Sequence, residues 1–165
     1  MLAKIKKMKV KLIVLFAITL LLSCNSNKKD FKQVLLLENL FELESKTLNI
    51  KLMIPQKHHI FKNEDRLTID LNPNGRAIRQ FGIAKFQSNI KKEKYTESYT
   101  FENGFTLSYY TFSEAGGSGG TEYRMEGILE SQEEVFKIVS IDQKELGKGE
   151  PEYCLKYLST IKRIK

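Results

Sequence analysis

Apolar residues recur along this chain in three rhythms, and each predicts a different kind of element. From Leu12 to Leu22 they are continuous, broken only by Thr19. From Leu48 they alternate: Leu48, Ile50, Leu52 and Ile54 are separated by Asn49, Lys51 and Met53. That period of two is the mark of a half-buried strand, and Pro55 closes it. Leu67, Ile69 and Leu71 repeat the pattern, ahead of the turn sequence Asn72-Pro73-Asn74-Gly75. Arg76 to Phe86 reads as a further strand. Near the end, Cys154, Tyr157, Leu158, Ile161 and Ile164 fall on one face of a helix. Residues 31–46 are ambiguous, because the short run Val34 to Leu37 fits a helix or a buried strand equally well.

Between the alternating strands and the helix, aromatic and hydroxyl residues suit a pleated, half-buried surface. Tyr95 to Phe101 and Phe105 to Phe112 are joined by Glu102-Asn103-Gly104, and Asn-Gly tolerates the positive φ of a tight hairpin. Thr121 to Leu129 and Glu134 to Ile141 form a second pair around Glu130 to Glu133. Pro151 suits a first helical turn, where its missing N–H costs nothing. Glu150 and Glu152 oppose the positive end of the helix dipole, and Lys162, Arg163 and Lys165 the negative end. The expected fold class is α+β: a twisted, mostly antiparallel meander of six to eight strands, with a C-terminal amphipathic helix packed on it.

The continuous run belongs to a different story. Lys4, Lys6, Lys7, Lys9 and Lys11 precede it, and Ser23-Cys24 follows it. A basic start, a short apolar core and a small residue at the end describe an export signal. Eleven residues fall short of the roughly 20 a membrane-crossing helix needs. Leu21-Leu22-Ser23-Cys24 resembles the lipobox of bacterial lipoproteins. That resemblance implies cleavage before Cys24, diacylglycerol on its sulfur and an acylated new N-terminus. The expected organisation is a signal peptide over 1–23, a lipidated cysteine and polar tether over 24–30, and one domain over 31–165. Asn25 after the cysteine, by resemblance to envelope sorting rules, implies the outer membrane, and the expected orientation is toward the periplasm.

Removing the signal changes the electrostatic picture. The whole chain is +7, with 27 basic and 20 acidic side chains. Five of the lysines lie in the signal, so the exported part is close to neutral. Its charge points to no nucleic-acid partner, which would want basic residues clustered on a retained face. With Cys24 acylated, Cys154 has no partner in its own chain, and its place on the apolar stripe suggests a small buried hydrophobe.

No catalytic constellation is legible, and the expectation is a protein that is not an enzyme. His58 and His59 are adjacent and point to opposite sides of an extended chain. No phosphate-loop lysine follows the glycines. The run Gly116-Gly117-Ser118-Gly119-Gly120 is open to two accounts. One is a mobile hairpin tip. The other is a loop whose bare backbone approaches a partner, with Glu114, Glu122 and Tyr123 facing the same way, Tyr109 and Tyr110 as further aromatic anchors, and backbone N–H groups available to an anion. Asp142, Glu145 and Glu150 are expected after the last strand, as a solvated cluster or a surface for a cation.

Residues 118–161 contain S-G-G-T-E-Y-R-M-E-G, D-Q-K-E-L-G and P-E-Y-C-L-K-Y-L-S-T-I in that order. This is similar to the immunity lipoproteins that neutralise peptidoglycan-cleaving muramidase effectors of the type VI secretion system. The matching positions are Gly119, Gly120, Glu122, Tyr123, Gln143, Glu145, Pro151, Cys154 and Leu158. The resemblance implies an inhibitor whose loops occlude an enzyme cleft, with calcium bridging the two proteins. The competing classes are a structural or assembly lipoprotein of the envelope and a carrier holding a small ligand between helix and sheet.

Overall fold

The computed structural model describes residues 35, 38–86, 94–117 and 119–164, which lie in the unit Phe31–Lys165. The lipobox, Cys24, the tether and Ser118 lie outside the described residues. Among the described residues, ten strands form two antiparallel sheets. The smaller holds β1 (Leu40–Ser45), β2 (Ile50–Pro55) and β10 (Lys162–Arg163), in the order β1-β2-β10. The larger holds β3 (His59–Lys62), β4 (Arg66–Asp70), β5 (Arg79–Lys85), β6 (Glu97–Thr100), β7 (Thr106–Ala115), β8 (Thr121–Glu130) and β9 (Val135–Lys144). Its order is β3-β4-β5-β9-β8-β7-β6. Two meanders therefore meet where β5 pairs with β9, Phe81 opposite Ser140.

The alternating residues lie where their period puts them. Ile50, Leu52 and Ile54 of β2 and Leu67 and Ile69 of β4 are fully buried. They share one core with Phe81, Ile83, Leu107, Met125, Leu129, Phe136 and Ile138 from the larger sheet. The small sheet and the helical segment thus cover one face of the large one. Gly104 takes φ +86 in the Asn103-Gly104 turn. Asn103 Nδ2 also donates to the carbonyls of Ser159 and Ile161, tying that turn to the chain's last segment.

The terminal helix is shorter than its stripe of apolar residues suggests. A 3-10 turn, Pro151–Cys154, leads into α1 (Leu155–Leu158), where the helix stops. Ser159 Oγ donates to the Lys156 carbonyl and Thr160 Oγ1 to the Tyr157 carbonyl, both at 2.6 Å. Thr160 Oγ1 also accepts the Met53 N–H at 2.8 Å. These hydroxyls satisfy the helix-end groups locally, and Lys162–Arg163 leave the helix to pair with Lys51 and Ile50 of β2. Ile161 is still buried, but in a strand lead-in rather than on a helix face.

Phe81 stacks on the Tyr157 ring at 5.8 Å and meets Tyr153 edge-on at 6.4 Å. These rings and buried Cys154 and Leu158 occupy the layer between helix and sheet in which the competing carrier class would hold its ligand. Burial pushes the Cys154 thiol up to about 12, in keeping with a packing role.

Candidate functional site

Three connections converge at one end of the large sheet: the β4–β5 loop, the β7–β8 glycine hairpin and the β9-to-helix loop. Gln143, near the end of β9, joins the first two. Its backbone N–H donates to the Ile78 carbonyl at 2.7 Å, and its Oε1 accepts the Ile78 N–H at 3.1 Å. Its Nε2 donates to the Gly119 carbonyl at 2.7 Å. Gly116, Gly119 and Gly120 are therefore held in a folded turn fastened to the sheet. Gly116 N–H donates to the Gly120 carbonyl and Gly119 N–H to the Gly116 carbonyl, both at 3.1 Å.

Glycine is required here for two distinct reasons. Gly119 and Gly120 have φ of +91 and +74, where other L-residues are strained. A Cβ on Gly120 would also stand 2.6 Å from the Lys144 carbonyl oxygen, so the hairpin tip lies directly on the end of β9. Gly117 faces open space.

The third connection is held from below. Asp142 is almost fully buried and accepts the Glu150 N–H at 2.8 Å. Arg79 and Lys144 lie 4.0 and 3.7 Å from its carboxylate, and Arg79 covers the Tyr153 ring at 4.5 Å. Tyr123 OH donates to the Gly147 carbonyl at 3.1 Å. Between these fastenings the loop presents Leu146, which is 92% exposed. Exposed Gly117 and Gly119 occupy the neighbouring hairpin tip.

Several expected residues are placed differently. Asp142 belongs to β9 itself and is an internal support, not part of a solvated acidic cluster. Glu122 is 7% exposed and pairs with Arg124 at 2.5 Å, while Arg124 Nε reaches Glu114 at 2.6 Å. The two glutamates are directly opposed in the β7–β8 register, so Arg124 relieves a repulsion within the fold. The bond it donates to Glu122 and the field of Glu114 hold the Arg124 guanidinium still more firmly charged. Tyr109 is buried, its hydroxyl donating to Glu152 at 2.7 Å. It is not a surface anchor, because odd-numbered β7 residues such as Leu107 and Tyr109 face the core. Tyr110 is half-buried and donates to Glu126 at 3.1 Å.

Leu146 is not distinguished by the sequence. It sits inside the D-Q-K-E-L-G segment, but nothing in its local pattern distinguishes an exposed leucine from a buried one. Among the described residues no group of three or more His, Cys, Asp or Glu side chains is arranged to hold a metal. Among them, too, no helix is long and apolar enough to cross a membrane.

Comparison with known proteins gives a fold likeness and a family. A crystal structure from Bacteroides thetaiotaomicron VPI-5482 aligns with a TM-score of 0.57 at 15% identity, over 75% of this chain and 48% of that one. At that identity the likeness is one of fold, and this chain spans about half the length of that protein. No curated protein matches the chain. Residues 51–162, from β2 through the first residue of β10, match the model of the type six secretion immunity 3 domain, Tsi3. That match covers well over half of the sequence, and the chain belongs to this family of type six secretion immunity domains.

Proposed function

We propose that this protein is a lipid-anchored immunity protein that neutralises a secreted peptidoglycan hydrolase by docking the loop end of its large sheet into the enzyme's cleft. The observation that carries the reading is the exposed Leu146 beside the glycine hairpin, both fastened to β9. A bare hairpin tip enters a cleft with little steric cost. An apolar anchor on a fixed loop loses little entropy when it is buried. Family membership supplies the class of partner, a secreted effector.

The anchor and address rest on the lipobox resemblance. Acyl chains on Cys24 hold the domain at the envelope, at the outer membrane facing the periplasm, where an arriving hydrolase acts. Two or three chains give slow release, since each buried methylene contributes about 0.8 kcal/mol. A calcium ion at the interface would take most of its ligands from the effector, with Glu145 among this chain's exposed carboxylates at that end.

The test is to titrate peptidoglycan-solubilising activity from secreted fractions with this protein, with calcium and with chelator. Loss of activity at one-to-one stoichiometry supports the reading. Undiminished activity at saturating protein, in both conditions, rejects it.

A further inference from the structure

β7 is ten residues long, but its neighbour β6 has four and pairs only with Thr106–Tyr109. Beyond Tyr109 the strand continues to Ala115 with β8 on one side. The ladder phase follows from its ends. Gly116 N–H bonds the Gly120 carbonyl, so Glu114, Phe112 and Tyr110 direct their amide groups toward β8, by the alternation of antiparallel pairs. Phe101 N–H bonds the Phe105 carbonyl, and the same alternation directs Leu107 and Tyr109 toward β6. Both ends agree that Thr111, Ser113 and Ala115 aim their N–H and C=O groups outward, and all three are exposed. Among the described residues nothing bonds to these groups.

Such an edge invites another strand, and natural proteins blunt it with lysine, proline, bulges or brevity. The opposite edge, β3, is short and ends in Lys62. Thr111-Phe112-Ser113-Glu114-Ala115 has neither lysine nor proline. Its core-side margin is an open groove of about 390 Å³ between Thr111 and Ser113 and the loop carrying Lys148, Glu150 and Glu152. Glu97 stands at the near end, opposite Tyr109. Among the described residues, this margin carries the carboxylates of Glu97 and Glu150 and one lysine, Lys148.

We infer that the free edge of β7, Thr111–Ala115, takes up an extended basic segment of the effector as an eighth strand of the large sheet. Its amide groups would pair with those of Thr111, Ser113 and Ala115, and its core-side lysine or arginine side chains would lie over Glu97 and Glu150. This rests on the effector-binding reading and extends it from the loop end along the adjoining edge.

The probe is a capped heptapeptide alternating lysine with threonine and valine, titrated to millimolar concentration against the 15N-labelled full chain, beside its glutamate counterpart. The amides of Thr111, Ser113 and Ala115 are expected to shift and to exchange more slowly with the lysine peptide alone. Ser113→Pro removes an outward N–H without touching the β7–β8 ladder, and should abolish the response at unchanged melting temperature. Glu150→Lys, which leaves the edge intact, should weaken it about fivefold. Absence of shifts at these amides, or equal binding of the glutamate peptide, would overturn the inference. So would Glu150→Lys binding as well as the unaltered chain. Because the peptide replaces the effector, a failure here leaves the hydrolase titration standing, and a failed titration leaves the edge result standing.

Discussion

The Nε2 of Gln143 donates to the Gly119 carbonyl at 2.7 Å while its Oε1 accepts the Ile78 N–H. One side chain, 5% exposed, thereby fixes two loops that lie far apart in sequence. Gln143→Leu keeps the volume and loses both bonds. It should cost about 1–3 kcal/mol, because partners are left unsatisfied, and should raise hydrogen exchange at Ile78. Denaturant melts and exchange measurements check both.

The glycines of the hairpin should divide into two groups. Gly120→Ala meets the Lys144 carbonyl at a positive φ and should destabilise the domain by about 1–3 kcal/mol. Gly117→Ala meets open space and should leave stability within about 0.5 kcal/mol. Any loss of effector binding by the Gly117 variant would then report on the interface directly.

Glu122→Lys, which the sequence alone would recommend as an interface probe, should behave as a folding mutant. It places a cation at a nearly buried position beside Arg124, and removes that residue's partner. A loss of about 1–3 kcal/mol is expected in thermal or denaturant melts.

On the outer face of the sheet, Glu126 titrates below the ordinary glutamate range. Burial pushes it up, but bonds from Lys94 and Tyr110 outweigh that and favour the ionised form. A carboxylate with a lowered folded pKa contributes stability above its unfolded pKa and loses it as pH falls through the folded value. Stability should therefore decline below about pH 4.5, near the unfolded value. Glu126→Gln should flatten that acid limb in urea melts taken across pH.

The strands with clean alternation, β2 and β4, and the aromatic hairpin around Asn103-Gly104 were legible because period and turn chemistry are local properties. The two-sheet arrangement was not. It depends on β5 meeting β9 and on β10 returning to β2, pairings between residues remote in sequence. The helix was overextended because Ile161 and Ile164 continue its stripe, whereas Thr160 bonding to Met53 and Tyr157 ends it. At the site, the glycine run and Gln143 could be singled out from the chain. The roles of Asp142 and Glu122 as internal supports could not, since burial of a carboxylate depends on Glu150 and Arg124 arriving from elsewhere in the fold.

Docking of the loop end into the effector depends on Leu146. Its side chain is almost wholly in solvent, so Leu146→Asp should leave the melting temperature unchanged. If the loop end enters the effector, the variant should bind at least tenfold more weakly, about 1.4 kcal/mol, in a titration of hydrolase inhibition. Inhibition by the variant at the concentration and stoichiometry of the unaltered protein would contradict docking through the loop end.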